Sequence, residues 1–454
     1  MQFVRNLESF ILEKMSQTKI PGIAFGLLKD GELFYSKGFG FRDVNSANAV
    51  TPKTLFHIGS VTKSFTALSI MKLHENGKLS LDDPVGKYLP IDLNVKGVPV
   101  TIHHLLTHSS GIPALAYAEA YIRGYFEVAE NWLPISNPED VISFMKDYED
   151  WVVSKPGERF FYLNEGYVLL GLIISKVSGI DYKEFVKKEI FEPLEMERTK
   201  FCDEEILKER DIATHYVHDK NGNLISRKPI LGITSDGGIV SCVEDLSKYI
   251  SMMINRGVYK GKKILKEENI ELMEKCHIRL PYHTFGNDSY GYGWMIHPNF
   301  LNRKLIGHGG SVLTHNTYAA YIPEEKIGTI VLSNVAGYSP SYIGMYALSL
   351  LLNGSPEKLP FLKYENILKK LEGKYETYKR TMTYYVNKKG DNLFVEYKDK
   401  FSEFSMPLFF EKEENNLFIF NTISSGRRIA VEFRIDGDEI WMIVERYKFK
   451  KVRG

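Results

Sequence analysis

Two hairpin signals that lie far apart in the chain constrain its fold more than any other feature. Apolar runs at 23–28 and 33–36 flank Lys29-Asp-Gly31, and an Asp-Gly turn between such runs is a strong hairpin signal. A second pair of runs, at 318–322 and 327–332, flanks a Pro-Glu-Glu turn. The stretch between the hairpins is mainly helical in pattern. We therefore expect an α/β (α+β) domain with one antiparallel sheet built from both ends of the stretch and a helical lobe inserted into it.

Helical spacing of apolar residues recurs between the two hairpins. The resulting helix predictions cover residues 61–76, 138–146, 166–177, 184–190 and 243–255. A charge-free stretch at 328–352 is long enough to cross a membrane, but Pro340 and several serines lie within it. We therefore expect a buried strand, a loop and a helix there rather than a membrane span.

The pattern of the chain changes after Leu352. The residues that follow read as a linker, and a short helix is predicted at 362–371. From Gly373 onward, short alternating runs rich in aromatic residues are separated by turns, which is typical of an antiparallel barrel or sandwich. The predicted domains are an α/β domain at 1–352, a linker with a short helix at 353–372, and an all-β domain at 373–454.

Charge and cysteine content argue against several classes of partner. The 454 residues include 58 lysines and arginines and 57 aspartates and glutamates, so no general attraction to nucleic acid or to an acidic membrane is expected. The cysteines, Cys202, Cys242 and Cys276, form no Cys-x-x-Cys pair, which favours a reducing compartment. The first helix is amphipathic and lacks the apolar core of a secretion signal, so a cytoplasmic location is expected.

The strongest catalytic candidate is the segment Ser60-Val-Thr-Lys63. A serine three residues before a lysine on a helix places both side chains on one face, where a neutral lysine can take the proton of the serine. The same spacing occurs at Ser16, Ser69, Ser143 and Ser355. Only Ser60 lies where a strand-like stretch leads into a helix, so we expect the Ser60–Lys63 pair to be the functional one.

Two further segments carry groups suited to acyl transfer. Tyr162-Leu-Asn164 offers a phenol for acid–base catalysis and an amide that can hydrogen-bond Lys63 and a substrate carbonyl. Gly307-His-Gly-Gly-Ser311 precedes the second hairpin. Its glycines permit close approach of the backbone to a ligand, and one of its N–H groups can complete an oxyanion hole. Each segment is weak alone, because buried tyrosines and glycine-rich turns are common.

Taken in order and at their spacing, the three segments resemble those of the serine β-lactamase and penicillin-binding-protein superfamily, in its CubicO-type branch. The stretch from Thr101 to Pro113 is similar to the strongest loop signature of that branch, and Asp236-Gly-Gly-Ile-Val-Ser241 resembles another landmark. The resemblance covers roughly residues 1–350. The region after Gly373 looks like the lipocalin-like barrel that some archaeal cytosolic serine peptidases of this superfamily carry.

The resemblance implies catalytic roles for four side chains. Ser60 would be the nucleophile that becomes acylated. Lys63 and Tyr162 would share the acid and base work, and the choice between them as general base stays open. Asn164 would orient both Lys63 and the substrate.

The resemblance also implies a binding segment opposite the nucleophile. This segment comprises His308, Gly309, Gly310 and Ser311, and the backbone N–H groups of Ser60 and Ser311 would form the oxyanion hole. His308 stands where many relatives carry a lysine. A histidine supplies a positive charge mainly below neutral pH, which argues against recognition of a penicillin-like carboxylate.

The leading functional prediction is a serine peptidase that cleaves small peptides through an acyl-enzyme. An esterase or a β-lactamase with the same chemistry is the alternative, and a non-catalytic binding or scaffold protein is the alternative of another class. The histidines at 103, 104 and 108 lack matching carboxylate or cysteine spacing, so no metal or other cofactor is expected. The resemblance implies a homo-oligomer formed through the C-terminal domain.

Overall fold

The computed structural model describes residues 2–127, 135, 137–232 and 234–452, which divide into two compact units, Met1–Gly354 and Ser355–Gly454. The α-helices are α1 Gln2–Thr18, α2 Thr62–Glu75, α3 Ile102–Leu106, α4 Tyr117–Tyr125, α5 Asp140–Phe144, α6 Asn164–Ser178, α7 Tyr182–Val186, α8 Val243–Ile254, α9 Glu267–Met273, α10 Pro340–Leu351 and α11 Pro360–Leu371. None of these helices combines the length and the apolar character that crossing a membrane requires.

The strands of the first unit are β1 Gly22–Lys29, β2 Glu32–Asp43, β3 Asn48–Ala49, β4 Phe56–His57, β5 Asn94–Val95, β6 Val98–Pro99, β7 Lys200–Phe201, β8 His215–His218, β9 Leu224–Arg227, β10 Ile239–Ser241, β11 Val258–Tyr259, β12 Lys262–Lys263, β13 Ile278–Arg279, β14 Ser289–Tyr290, β15 Met295–Phe300, β16 Arg303–Ser311, β17 Asn316–Ile322 and β18 Ile327–Ser333. Those of the second unit are β19 Gly373–Glu376, β20 Thr383–Lys389, β21 Asn392–Lys398, β22 Glu403–Glu414, β23 Leu417–Ser424, β24 Arg427–Asp436, β25 Glu439–Val444 and β26 Tyr447–Lys451.

The main sheet of the first unit joins the two predicted hairpins, as the sequence indicated. Its antiparallel strand order is β13-β14-β15-β16-β17-β18-β1-β2-β3. The two ends of the unit meet where β1 pairs with β18, with Ile23 opposite Ser333. Both central strands are buried along nearly all of their length, because α8 packs on β1 and β18 and α10 packs on β18. The predicted fold class is therefore confirmed.

A small second sheet, which the sequence pattern did not predict, holds the strand that precedes Ser60. It has the order β4-β10-β7, and β10 pairs with β4 in antiparallel register, Val240 opposite His57. Each strand is only two or three residues long, too short to show a two-residue alternation. This sheet fixes the point at which the chain enters α2.

The second unit is a closed barrel of eight antiparallel strands, β19 to β26. Strand β25 shows the alternation clearly, with Ile440, Met442 and Val444 in the barrel core. The core also includes Leu368 and Leu371 of α11, which therefore packs with the barrel. The prediction of an all-β barrel at the C-terminal end is confirmed.

Several helix boundaries differ from the predictions. The helix predicted at 138–146 is shorter in the structure, where α5 spans Asp140–Phe144. The helix predicted at 184–190 begins earlier, as α7, and continues as a wider helical turn over Lys187–Phe191. Helix α4 was not predicted at all. This omission matters because α4 forms one wall of the cavity described below.

Candidate active site

Ser60 lies in a tight turn, Gly59–Val61, that joins β4 to α2. The preceding residue, Ile58, donates its N–H to the carbonyl of Ile239 in β10 at 3.0 Å. Gly59 adopts a φ of +51°, and a Cβ at that position would lie 2.6 Å from the backbone nitrogen of Ser311. A glycine is therefore needed here both for the backbone conformation and for the close approach of the two segments.

The end of β16 forms the other side of this contact. A Cβ on Gly310 would lie 1.9 Å from the carbonyl oxygen of Ile58, so only glycine fits. The same carbonyl accepts a hydrogen bond from the Thr317 hydroxyl at 2.8 Å. The segment predicted to bind substrate and the predicted nucleophile thus lie side by side, as the oxyanion-hole hypothesis requires.

The Lys63 side chain is fully buried and donates three hydrogen bonds. Its Nζ lies 3.2 Å from Ser60 Oγ, 2.8 Å from Asn164 Oδ1 and 2.6 Å from the backbone carbonyl oxygen of Asp236. The ammonium therefore has all three of its hydrogens satisfied, one of them by the candidate nucleophile.

The charge of Lys63 is set by two opposing effects. Burial lowers the pKa of Lys63 to about 8, because a charged ammonium is poorly solvated there. The carboxyl groups that oppose this shift belong to Asp236, Glu119 and Glu165. With a pKa of about 8, about a tenth of the lysine is neutral at pH 7 and able to accept a proton.

Tyr162 is packed against the lysine but keeps its proton. Lys63 Nζ lies 4.9 Å from the centroid of the Tyr162 ring. The phenol hydroxyl is buried and makes no hydrogen bond to a described residue. Burial raises the pKa of Tyr162 well above its ordinary value. The nearby Ser60 hydroxyl offsets part of this shift, although the geometry between the two hydroxyls falls short of a hydrogen bond.

His308 is buried in the wall of the site and uncharged at neutral pH. Its Nδ1 lies 2.6 Å from the carbonyl oxygen of Gly309, and its Nε2 lies 3.0 Å from the Tyr290 hydroxyl. Because a carbonyl can only accept, Nδ1 carries the hydrogen and Nε2 accepts from the tyrosine. Burial lowers the pKa of His308 to about 4. The position therefore offers no permanent cation to a substrate carboxylate.

Sequence reasoning missed several residues that support this site. Tyr117 donates its hydroxyl to Asp236 Oδ2 at 2.7 Å and its backbone N–H to Glu165 Oε1 at 3.1 Å. Burial raises the pKa of Glu165 to about 7 and also raises the pKa of Asp236. The sequence singled out Asp236 only as part of a family landmark, and it gave no signal for Glu165.

His108 also belongs to the support of the site. Its backbone carbonyl accepts from Phe161 N–H at 2.8 Å, and its Nδ1 accepts from Leu163 N–H at 2.9 Å. The ring lies 4.1 Å from that of Tyr162, centroid to centroid. His108 therefore holds the strand-like segment that presents Tyr162. The loop signature at 101–113 contains this residue and could have identified it, but the sequence analysis considered His108 only as a possible metal ligand. Among the residues described, no group of histidine, cysteine or acidic side chains is placed to hold a metal ion.

These groups surround a cavity of about 650 Å³. Seven of the eight predicted site residues line it: Ser60, Tyr162, Asn164, His308, Gly309, Gly310 and Ser311. The eighth, Lys63, reaches the cavity through its contact with the Ser60 hydroxyl. Helix α4 also contributes Ala118, Glu119, Ile122 and Arg123 to the lining.

A half-buried serine that contacts a fully buried lysine, beside a glycine-rich strand on an antiparallel sheet with an inserted helical lobe, defines a β-lactamase-type fold and site. A model of the Beta-lactamase family matches residues 7–353, and this chain belongs to that family. A second model, described as the Pab87 octamerisation domain, matches residues 356–450.

Solved structures agree with this assignment over both units. The octameric penicillin-binding protein homologue from Pyrococcus abyssi is 52% identical, matches 99% of this chain and 100% of its own, and superposes with a TM-score of 0.94. A penicillin-binding protein from Bacillus halodurans is 25% identical, matches 75% of this chain and 98% of its own, and gives a TM-score of 0.62. The second similarity does not extend to the whole chain.

Curated relatives match the first unit. Protein flp of Staphylococcus aureus is 28% identical over 348 residues, which is 75% of this chain. Penicillin-binding protein 4* of Bacillus subtilis is 28% identical over 321 residues, which is 67% of this chain and 66% of that protein. The matched region spans 65% of the length of the staphylococcal relative.

Proposed function

We propose that this protein is a serine hydrolase that forms an acyl-enzyme at Ser60 and acts as a peptidase on small peptides. The 3.2 Å contact between Lys63 Nζ and Ser60 Oγ, beside the cavity of about 650 Å³, carries the proposal. A serine hydroxyl is a weak nucleophile unless a base takes its proton, and a neutral lysine at this distance can do so.

Acylation proceeds from this pair. As Ser60 Oγ bonds to the substrate carbonyl carbon, its proton passes to neutral Lys63. The backbone N–H groups of Ser60 and Ser311 stabilise the negative charge on the carbonyl oxygen. The carbon–nitrogen bond then breaks as the Tyr162 hydroxyl gives its proton to the leaving amine, and the proton held by Lys63 restores the phenol. Water later attacks the acyl carbon, which releases the acid and restores the serine hydroxyl.

We assign the role of general base to Lys63 and that of proton donor to Tyr162. The low pKa of Lys63, about 8, supports this division because a neutral fraction exists at neutral pH. Burial raises the pKa of Tyr162, so its phenol stays protonated and can donate to the leaving nitrogen. Acylation is therefore expected to rise with pH through about 8, as Lys63 loses its proton.

Covalent labelling of Ser60 tests the proposal. The wild-type protein and Ser60→Ala are incubated with a fluorophosphonate probe, and the intact mass of each is measured. We expect one adduct on the wild type and none on the variant. Labelling of Ser60→Ala at another residue, or no adduct on a folded wild-type protein, would contradict the proposal. The second result would favour a binding or scaffold protein on this fold.

Turnover separates the peptidase from the two related enzymes. An alanine p-nitroanilide, p-nitrophenyl acetate and a penicillin present an amide, an ester and a β-lactam to the same serine. We expect the amide to be hydrolysed, and slow acylation by the penicillin, because His308 is neutral at physiological pH. Hydrolysis of the ester alone would identify an esterase.

We further propose that the barrel assembles the chain into a homo-oligomer. The support is the match of residues 356–450 to the Pab87 octamerisation domain and the 52% identity to an octameric homologue. Light scattering on the purified protein gives the number of subunits.

The free cysteines Cys202, Cys242 and Cys276 support a reducing, cytoplasmic location.

A further inference from the structure

The cavity has few charged groups with which to recognise a charged substrate. His308 is neutral, and the Asp236 carboxyl is buried and hydrogen-bonded by Tyr117. Among the described residues that line the cavity, only Glu119 and Arg123 carry a charge on an exposed side chain. Neither forms an ion pair with the other or with another described residue.

Both side chains come from one face of α4. Glu119 and Arg123 are four residues apart, so they lie one turn apart on the same side of the helix. Ala118 and Ile122 lie beside them and supply apolar lining. A charged pair on an amphipathic surface helix normally faces solvent, whereas this pair faces the cavity that contains Ser60.

Glu119 is the member of the pair that adjoins the reacting groups. Asn164 Nδ2 donates to Glu119 Oε1 at 3.5 Å, while Asn164 Oδ1 accepts from Lys63 at 2.8 Å. A single amide group therefore separates the carboxylate from the lysine that contacts Ser60. The carboxylate also acts on Lys63, because it is one of the groups that raise the lysine's pKa.

A carboxylate at this place fits a cationic group on the acyl part of the substrate. In a peptide cleaved after its first residue, the α-ammonium lies on the carbon next to the carbonyl that Ser60 attacks. An ammonium provides three donors, and its pKa of about 8 keeps most of it charged at neutral pH. A carboxylate of the substrate at the same position would be repelled by Glu119.

We infer that Glu119 binds the free α-ammonium group of the substrate, so that the enzyme removes single residues from the amino terminus of short peptides. This inference rests on the proposed function of Ser60. It names the end of the peptide that is recognised, which the similarity to known proteins leaves open. Arg123, one turn farther along α4, is not required for this recognition.

Paired substrates that differ only in the ammonium test the inference. Alanine p-nitroanilide is compared with its N-acetylated form, each as the L and the D enantiomer, on the wild type, Glu119→Gln and Arg123→Gln. The measured quantity is the ratio of kcat/KM for the free amine to kcat/KM for the acetylated substrate. We expect a wild-type ratio above about ten and a fall of about ten- to hundredfold in Glu119→Gln, mainly through KM.

The matched control is Arg123→Gln, which removes the other charge from the same face of α4. Its ratio should stay within about threefold of the wild-type ratio, or rise, because a repelling cation has been removed. A wild-type preference for the acetylated substrate would overturn the inference. An equal loss on both substrates in Glu119→Gln would also overturn it, because Glu119 would then act only through Asn164.

A binding measurement separates this inference from the proposed function. Alaninamide and N-acetylalaninamide are titrated by calorimetry into the single variant Ser60→Ala and into the double variant Ser60→Ala/Glu119→Gln. We expect alaninamide to bind more tightly than N-acetylalaninamide to the single variant, and the two amides to bind equally to the double variant. Equal binding of the two amides to Ser60→Ala would overturn the inference even if Ser60 is labelled in the wild type. Failure of labelling with retained selective binding would overturn only the proposed function.

Discussion

Two groups of buried ionisable side chains lie on either side of the turn that carries Ser60, and they differ in how they are satisfied. Lys63, after the turn, donates to three oxygen atoms at 3.2 Å or less. Before the turn, His57 packs with His215 and His315, which we call the histidine triplet. The ring centroids of the triplet lie 3.9 to 5.7 Å apart.

The triplet lacks partners where Lys63 has them. Neither ring nitrogen of His57, nor Nε2 of His215, has a hydrogen-bond partner among the described residues. His215 Nδ1 is satisfied by the Thr314 hydroxyl, and His315 Nδ1 accepts from the backbone N–H of His57. Burial holds the pKa of His57 and of His215 well below the ordinary value, and lowers that of His315 to about 3.

Equal burial therefore has different consequences at the two places. Around Lys63, nearby carboxyl groups oppose the effect of burial and keep the pKa of the lysine at about 8, so that both protonation states are accessible. Around the triplet, no carboxyl group among the described residues compensates for lost solvation, so the rings remain neutral throughout the physiological range. A buried group can exchange protons during a reaction only when its surroundings stabilise both of its states.

The largest effect is expected on the side of the turn that holds Lys63. Lys63→Met keeps an unbranched side chain of similar length but removes the base and all three hydrogen bonds. We expect the rate of fluorophosphonate labelling at Ser60 to fall by at least about a thousandfold, with the circular dichroism spectrum unchanged. The rate is measured by intact mass against time.

Lys72→Met is the matched control, because Lys72 is a half-buried lysine on the same helix. Its Nζ donates to the carbonyl of Ile264 at 3.0 Å and lies 3.4 Å from Glu189. The labelling rate of this variant should stay within about twofold of the wild-type rate. Labelling of Lys63→Met at the wild-type rate would show that another group activates the serine.

The next effect concerns stability on the histidine side of the turn. Folding lowers the pKa values of the three histidines. Below pH about 6.5 they therefore bind protons in the unfolded chain but stay neutral in the folded chain. The stability that the neutral rings contribute is full above that pH and is lost as the pH falls. His57→Phe should reduce the slope of unfolding free energy against pH by about 1.4 kcal/mol per pH unit between pH 5 and 6.

Urea unfolding at a series of pH values measures this slope. Phenylalanine keeps the ring and sacrifices no hydrogen bond of the His57 side chain, because that side chain makes none to a described residue. His283→Phe, at an exposed position, is the control and should leave the slope unchanged. An unchanged slope in His57→Phe would mean that this ring is protonated in the folded protein.

Much of the fold and of the candidate site could be predicted from the sequence. The hairpins at both ends of the first unit predicted its sheet because their strands are long and their turns carry specific residues. Ser60, Lys63, Tyr162 and Asn164 were predicted as site residues because each belongs to a segment with a chemical reason for its spacing, and the structure places them together. The barrel was found from its alternating aromatic strands.

The rest depended on contacts between distant parts of the chain. The triplet combines residues 57, 215 and 315, and nothing in their spacing shows that His215 stacks on His315 while His57 meets both rings edge-on. Helix α4 is short and carries mixed residues, so Glu119 had no visible connection to Asn164. The pKa of His308 is lowered by burial and by the nearby charge of Lys63, neither of which a motif records. Local patterns predict elements, whereas protonation states follow from packing.

The smallest effect is expected from a lysine at position 308. Its surroundings there would be less favourable to a charge than those of Lys63 and more favourable than those of the histidine triplet. In His308→Lys, the new ammonium finds two acceptors, the Tyr290 hydroxyl and the Gly309 carbonyl, but no described carboxylate hydrogen-bonds at this position. We expect part of the charge to survive, so that acylation by a carboxylate-bearing penicillin rises about tenfold relative to a neutral ester. His308→Gln keeps a polar, uncharged side chain and should not change this ratio. If the lysine variant also leaves the ratio unchanged, two neutral acceptors are too few to hold a buried ammonium, and the carboxyl groups around Lys63 are essential for its charge.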